Sequence, residues 1–181
     1  MNFDYGAWAA RRRVPLSFAF AVAYAVLSQP TFELLVIGSA LALTGLLLRA
    51  FAAGHIEKSQ TLAASGPFCY VRHPLYLGSF ILGCGFMVAA RSYILGTVYL
   101  VLFAAMYFPV MRREEAFLHK KFGAAYDDYA HRVPLFFPLR GQVLTAAGRF
   151  TWLRYRKNRE YQAALGFVAI IIFLAIKLAL R

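Results

Sequence analysis

The chain has 181 residues, 61% of them hydrophobic, and its 20 Lys and Arg outnumber 8 Asp and Glu to give a formal net charge of +12. Mean hydropathy is +0.57, and the apolar share lies well above the roughly 45–50% of soluble domains. This excludes a water-soluble globular domain, implies an all-α integral membrane protein, and leaves too little polar surface for a nucleic-acid-reading domain, so the basic excess needs another cause.

Met1 to Arg13 reads as a short head ending in Arg11-Arg12-Arg13, after which Val14 to Ser28 runs without a charge. A basic stretch before an apolar run resembles a secretion signal. Gln29-Pro30-Thr31-Phe32, however, offers no small-x-small cleavage pattern, and a second apolar run follows at once. The expectation is a retained first transmembrane helix, hairpinned tightly to the next.

Phe32 to Ala53 is the second span, long enough for the roughly 20 residues that cross a bilayer core. Arg49 lies near its end; either its stem snorkels to the headgroups or its guanidinium touches a substrate or cofactor. The chain then leaves the membrane through His55, Glu57 and Lys58, and His55, alone, reads as a solvated loop histidine.

Gly66 to Gly78, GPFCYVRHPLYLG, is the polar-punctuated stretch before the third span. Pro74 disfavours the α conformation at His73 and suits the first position of a helix. The third span, Leu75 to Ala90, is therefore expected to begin right after His73. Its small residues Gly78, Ser79, Gly83, Cys84 and Gly85 admit close approach of either a backbone or a ligand. Tyr93 to Met111 is the fourth span, separated from the third only by Arg91-Ser92.

From Arg112 to about Tyr129 the pattern is a charged amphipathic helix, closed by Pro134 and Pro138. Gly141 to Arg159 reads as a basic connector and Ala163 to Leu180 as a fifth span. The expected architecture is one membrane domain over 1–181 with about five transmembrane helices and a cytoplasmic amphipathic helix after the fourth. Residues 66–138 hold the polar motifs, and 139–181 form a basic linker plus a C-terminal span. Cys69 and Cys84 show no Cys-x-x-Cys pair and no neighbouring His, so no zinc pattern and no metal site is expected.

With the N-terminus placed in the cytoplasm, every Lys and Arg except Arg49, Arg91, Lys177 and Arg181 falls on the cytoplasmic side. The positive-inside rule then accounts for the net charge. Anionic lipid headgroups are the expected counter-charge, with no nucleic acid. An even number of crossings separates Arg72-His73 from Arg112-Arg113-Glu114-Glu115, so both clusters share one face and can meet across the hairpin.

The first cluster offers Arg72 and His73 at a helix start, where free backbone N–H groups suit a carboxylate, or it anchors the interface. In the second, Glu115 and His119 share a helix face with Arg112; a carboxylate there can hold an ammonium, a sulfonium or a ribose hydroxyl, or simply pair with local Arg and Lys.

The ordered set Arg72-His73-Pro74-x-Tyr76-x-Gly78, Glu114-Glu115-x-x-Leu118, Phe122-Gly123, Tyr126, Tyr129 and Arg132-Val133-Pro134 resembles the isoprenylcysteine carboxyl methyltransferase family and the related membrane phospholipid methyltransferases. It covers about Gly66 to Pro138. That family pattern also carries an arginine four residues before the first glutamate, where this chain has Val110, with Arg112 and Arg113 nearby.

The resemblance implies methyl transfer from S-adenosylmethionine inside a helical membrane enzyme, and the lack of a GxGxxG run agrees with a fold other than Rossmann. It places the cofactor, entering from the cytoplasm, near His73, Tyr76, the backbone of Leu77 and Gly78, Tyr70, Glu114, Glu115 and His119. Its adenosine would pack beneath the Arg112 to Tyr129 helix and the Phe136-Phe137 corner. Catalysis falls to Arg72, His73 and Glu115, with Arg72 orienting an anionic acceptor or the cofactor carboxylate. A lipophilic acceptor would arrive sideways from the bilayer, of either a bacterial inner membrane or the endoplasmic reticulum. Two alternatives stay open: a membrane sterol or steroid reductase using NADPH, which shares a related HP and Tyr arrangement, and a non-enzymatic channel, transporter or assembly subunit.

Overall fold

The structure, a computed structural model, describes residues 5–56, 61–138 and 148–180, with side chains from residue 15 onward except residue 17. Its regular elements are helices: α1 Tyr5–Leu27, α2 Phe32–His55, a 3-10 turn at Gly66–Cys69, α3 Pro74–Ala90, α4 Tyr93–Phe122, α5 Ala124–Arg132, α6 Trp152–Lys157 and α7 Tyr161–Ala179. The chain is an all-α membrane protein. Among the described residues α2, α4 and α7 are long and apolar enough to cross a bilayer, while the other two expected spans are shorter: Phe18–Leu27 within α1, and Pro74–Ala90. At a rise of about 1.5 Å per residue, α3 reaches roughly 25 Å, just under a hydrocarbon core of about 30 Å.

Two boundaries differ from the sequence expectation. The backbone of α1 is already helical through 11–13, so the basic triplet is part of the first helix rather than a head preceding it. The charged helix expected after the fourth span is continuous with that span as far as Phe122. It breaks at Gly123, whose φ of 53° few other residues adopt, and resumes as α5. Glu57, Lys58 and the first part of the basic connector, 141–147, lie outside the described residues.

Helices α2 and α3 make the closest packing in the molecule. Gly38, Ala42, Gly45 and Arg49 on α2 face Ala89, Gly85, Leu82 and Gly78 on α3, both series spaced four, three and four residues apart. A Cβ added at Gly85 would sit 2.3 Å from the Ala42 nitrogen, and one at Gly45 2.4 Å from that of Leu82. Of the two readings of the small residues, close backbone approach therefore describes Gly78 and Gly85. At Gly83 the neighbour is instead the Tyr99 ring of α4.

At one end of the bundle α7 fastens α1. Lys177 Nζ donates to the carbonyls of Ala25 at 2.5 Å and Val26 at 3.1 Å and to Ser28 Oγ at 3.2 Å, which satisfies acceptors that a helix C-terminus leaves open. Tyr24 donates to the Phe86 carbonyl at 2.9 Å, and the Gln29 N–H to that of Ala90 at 2.7 Å, so the α1–α2 turn docks on the end of α3.

At the other end α2 and α4 finish and α3 and α7 begin. Here the Asn158 amide donates to the carbonyls of Ala53 at 2.9 Å and Ile56 at 3.3 Å, capping α2 from the segment between α6 and α7. His55 is not a solvated loop residue: it ends α2, is buried, and bonds through Nδ1 with the Phe51 carbonyl at 2.9 Å. Its ring packs edge-on against Phe51 and Phe150 and fills the space that a side chain at Gly66 would need.

Candidate functional site

Proline decides where the site begins. Pro74 opens α3 and His73 becomes its N-cap, as the Arg-His-Pro spacing predicts. The residues before it are held by the chain's later turn: the N–H of Arg72 donates to the Pro134 carbonyl at 2.9 Å, and that of His73 to the Leu135 carbonyl at 3.3 Å. Tyr129 adds a bond from its hydroxyl to the Phe68 carbonyl at 2.8 Å. Tyr126, Tyr129 and Val133 bury themselves against Leu62, Leu118 and Phe122. In this way the Arg132-Val133-Pro134 motif acts as the clamp that fixes Arg72 and His73, not as a further reactive group.

On the facing helix, Glu115 lies one turn past Met111, the last buried apolar residue of α4. Arg72 Nη1 donates to Glu115 Oε2, and the Tyr126 hydroxyl donates to Oε1. His73 Nε2 is 3.0 Å from the same Oε1. One carboxylate thus gathers a guanidinium and an imidazole from the start of α3 and a phenol from α5. Glu114, half exposed, accepts from the Tyr76 hydroxyl at 2.7 Å and lies 3.5 Å from His73 Nδ1. The Tyr76 ring rests between those of His73 at 5.6 Å and Tyr107 at 5.4 Å.

Burial pushes the phenol of Tyr126 well above its ordinary value of 10.0; the hydrogen bond to Glu115 adds to the rise and Arg72 opposes it. Burial likewise raises Tyr129. Both therefore remain hydroxyl donors across the physiological range. Arg72 Nε is buried without a hydrogen-bond partner among the described residues, a donor left open beside the cluster.

These groups border a cavity of about 490 Å³, lined in part by Arg72, His73, Tyr76, Glu114 and Tyr126. That volume is in the range of small-molecule sites. The same cavity extends along α3 to Ser79, where Arg49, Asn158 and Glu160 also line it. Arg49 Nε donates to Glu160 at 2.5 Å, and its Nη1 donates to Ser79 Oγ and, at 3.4 Å, to the Leu75 carbonyl.

The structure brings Arg72, His73, Tyr76, Glu114 and Glu115 together, keeps the backbone of Leu77 beside them through its N–H bond to the His73 carbonyl, and turns Tyr70, Gly78 and His119 elsewhere. Leu77 is buried, and Gly78 faces α2, where its Cβ would meet the Arg49 stem. Tyr70 caps the 3-10 turn and is 55% exposed. His119 turns outward to Asp127, 3.1 Å away, instead of joining Glu115. Sequence reading did not place Tyr126, Ser79, Asn158 or Glu160 in the site, and it left Arg49 open between two roles. The available signal was charge: Arg49 interrupts an apolar span, and Glu160 is the sole acidic residue after Asp128.

Residues 34–125 match the phospholipid methyltransferase family. The nickel-cobalt-cadmium resistance protein NccN of Alcaligenes xylosoxydans xylosoxydans is 39% identical over 82 residues, 45% of this chain and 38% of that protein. The cobalt-zinc-cadmium resistance protein CzcN of Cupriavidus metallidurans is 39% identical over 98 residues, 53% of this chain and 43% of that protein. Protein-S-isoprenylcysteine O-methyltransferase of Schizosaccharomyces pombe is 30% identical over 83 residues, 46% of this chain and 35% of that protein. The matched stretch spans about two-fifths of the length of these relatives. No solved structure matches. The match takes in α2, α3 and α4 with Arg49, Arg72, His73 and Glu115 and stops just before Tyr126, and on this evidence the chain belongs to the phospholipid methyltransferase family.

Proposed function

We propose that the protein is an S-adenosylmethionine-dependent methyltransferase acting on a lipophilic acceptor that reaches the cavity from the bilayer. The observation that carries this reading is the convergence of Arg72, His73 and Tyr126 on Glu115 beside the cavity, at the end of a bundle of membrane-type helices. Family membership supplies the reaction class.

The donor set fits the cofactor. Arg72 offers the open Nε for a methionyl carboxylate, Glu114 a half-exposed carboxylate for an ammonium, and Tyr76 and Tyr107 aromatic faces for a sulfonium. When bound, S-adenosylmethionine supplies an electrophilic methyl group on a positively charged sulfur. The chain's own residues position the two reactants and keep water out; as charge is neutralised during the displacement, holding the pair in line supplies much of the rate. A carboxylate or thiolate acceptor needs no base. An amine must lose its proton, and His73, 3.0 Å from Glu115, is placed to take it.

The basic count supports a cytoplasmic site and N-terminus, an orientation in which anionic lipids would meet Arg154, Arg156 and Lys157 of α6. Among the described residues no group of three or more His, Cys, Asp and Glu side chains gathers as a bound metal would require. Binding of labelled S-adenosylmethionine to the purified protein, with NADPH as the competing probe, tests the reading; uptake of NADPH alone would replace it with the reductase.

A further inference from the structure

We propose that the outer face of α6 is a docking surface for the headgroups of anionic phospholipids, and that lipid seated there holds the adjoining wall of the cavity in place.

The position of α6 is fixed by its two neighbours. The N–H of Thr151 donates to the carbonyl of Gly54 at 3.0 Å, in the last turn of α2, and the apolar run of α7 starts at Tyr161, four residues after α6 ends. Phe150 stacks on Phe51 with ring centres 6.1 Å apart and meets His55 edge-on at 6.2 Å. A segment pinned to the last turn of one span and running into the first turn of the next lies at headgroup depth.

At that depth the side chains of α6 sort by side. Trp152 and Leu153 are 70% and 77% exposed and Arg156 and Lys157 are exposed with them, while Arg154 and Tyr155 are half-buried. At about 100° per residue, Trp152, Arg156, Leu153 and Lys157 fall side by side within an arc of roughly 140°. Such a face suits a membrane interface: the indole and the leucine enter the acyl boundary, and the guanidinium and ammonium stay among the phosphates.

Charge selects the kind of lipid. Exposed Arg149 and Arg159 flank the same helix, and the sole acidic residue after Asp128 is Glu160, which is turned inward to Arg49. Arg149, Arg156, Lys157 and Arg159 form no ion pair with any described residue. A zwitterionic headgroup leaves this charge uncompensated, and two copies of the face would repel each other. A phosphate of net negative charge is its complement.

The segment also reaches the cavity. Asn158 directly follows Lys157, donates to the carbonyls of Ala53 at 2.9 Å and Ile56 at 3.3 Å, and lines the cavity; Glu160 lines it two residues later, beside Arg49. Arg159 between them has a φ of 55°, so the chain turns tightly from α6 into α7. A lipid that holds Arg156 and Lys157 therefore acts one to four residues away from two groups of the cavity wall.

The test places the full chain in nanodiscs of phosphatidylcholine, with and without phosphatidylglycerol of the same acyl chains. Wild type is compared with Arg156→Gln plus Lys157→Gln, and with Lys120→Gln plus Lys121→Gln, which removes the same charge from the exposed end of α4. Lipid retained on release from the discs is read by native mass spectrometry, and opening of the cavity wall by amide hydrogen exchange over 158–161.

Each cation near an anionic surface contributes about fivefold, so the α6 variant should lose roughly twentyfold of the wild type's preference for phosphatidylglycerol, while the α4 variant keeps it within about twofold. Amides 158–161 should exchange at least about threefold more slowly in the anionic discs for the wild type and the α4 variant, with no such change in the α6 variant. High salt should remove the preference from the wild type itself, an arm that needs no variant to fold. The proposal is overturned if the wild type retains both lipids equally, if the α4 variant loses as much preference as the α6 variant, or if exchange over 158–161 is the same in both discs. A wild-type dimer that dissociates in the α6 variant would put a second copy of the chain on this face and overturn it as well. None of these readouts uses S-adenosylmethionine, so failure of the lipid surface and failure of the methyltransferase reading are told apart.

Discussion

Arg72 and Glu115 stand 43 residues apart, one before α3 and the other in the charged end of α4, and are joined through Nη1 and Oε2 at the mouth of the hairpin. The pair is only partly screened from water, with 16% and 18% of the side chains exposed. It is held by neighbours on both sides: the Pro134 carbonyl fixes the Arg72 backbone, and the Tyr126 hydroxyl fixes the Glu115 carboxylate.

From this follows a prediction about Tyr126. Tyr126→Phe removes one donor to Glu115 and a 3.3 Å contact with Arg72 while keeping the ring in its apolar cluster. A hydrogen bond to a charged group contributes about 1.5–3 kcal/mol. The substitution should therefore weaken S-adenosylmethionine binding about tenfold and lower the melting temperature by several degrees. Equilibrium binding by calorimetry in detergent checks this, and unchanged affinity would remove Tyr126 from the site.

The two phenols also predict an alkaline limit. Their folded-state values are raised above the ordinary 10.0, chiefly by burial. Their protonated forms therefore favour the folded state, a contribution fully present below about pH 10 and lost as pH rises through the higher folded values. Melting temperature should fall above that pH, and less steeply in Tyr129→Phe. A melting series followed with phenolate absorbance is the measurement; identical alkaline slopes would contradict the assignment.

Packing between α2 and α3 makes a third prediction through contrasting glycines. At Gly85 an added Cβ would press on the backbone of α2, whereas at Gly96 it would meet nothing within 4 Å. Gly85→Ala should destabilise by about 1–3 kcal/mol as an overpacked contact. Gly96→Ala should be neutral or stabilising by up to about 1 kcal/mol, since alanine is the better helix former. Thermal inactivation of the two variants in the same detergent compares them directly; equal losses would mean that α2 and α3 do not approach through this face.

Local chemistry made much of this legible in the sequence. Pro74 marks the start of α3, the Gly123 break lies inside a recognisable motif, and an even number of crossings brings Arg72-His73 to Glu114-Glu115. What stayed hidden depends on which side of a helix faces which neighbour over long separations. Arg49 finds Glu160 111 residues later, and no local pattern announces that α6 and Asn158 return the chain to the end of α2. His55 read as solvated because its partners, Phe150 and Gly66, come from distant segments. His119 shares a helix face with Glu115, yet it pairs outward with Asp127 of the following helix.

The central claim is that Glu115 organises a cofactor site, and the most direct measurement is binding of labelled S-adenosylmethionine to purified wild type and Glu115→Gln. The account predicts saturable binding to the wild type and a loss of about tenfold or more in the variant, with helical content retained. It is contradicted by a wild type that binds no S-adenosylmethionine, or by a variant that binds it as well as the wild type does.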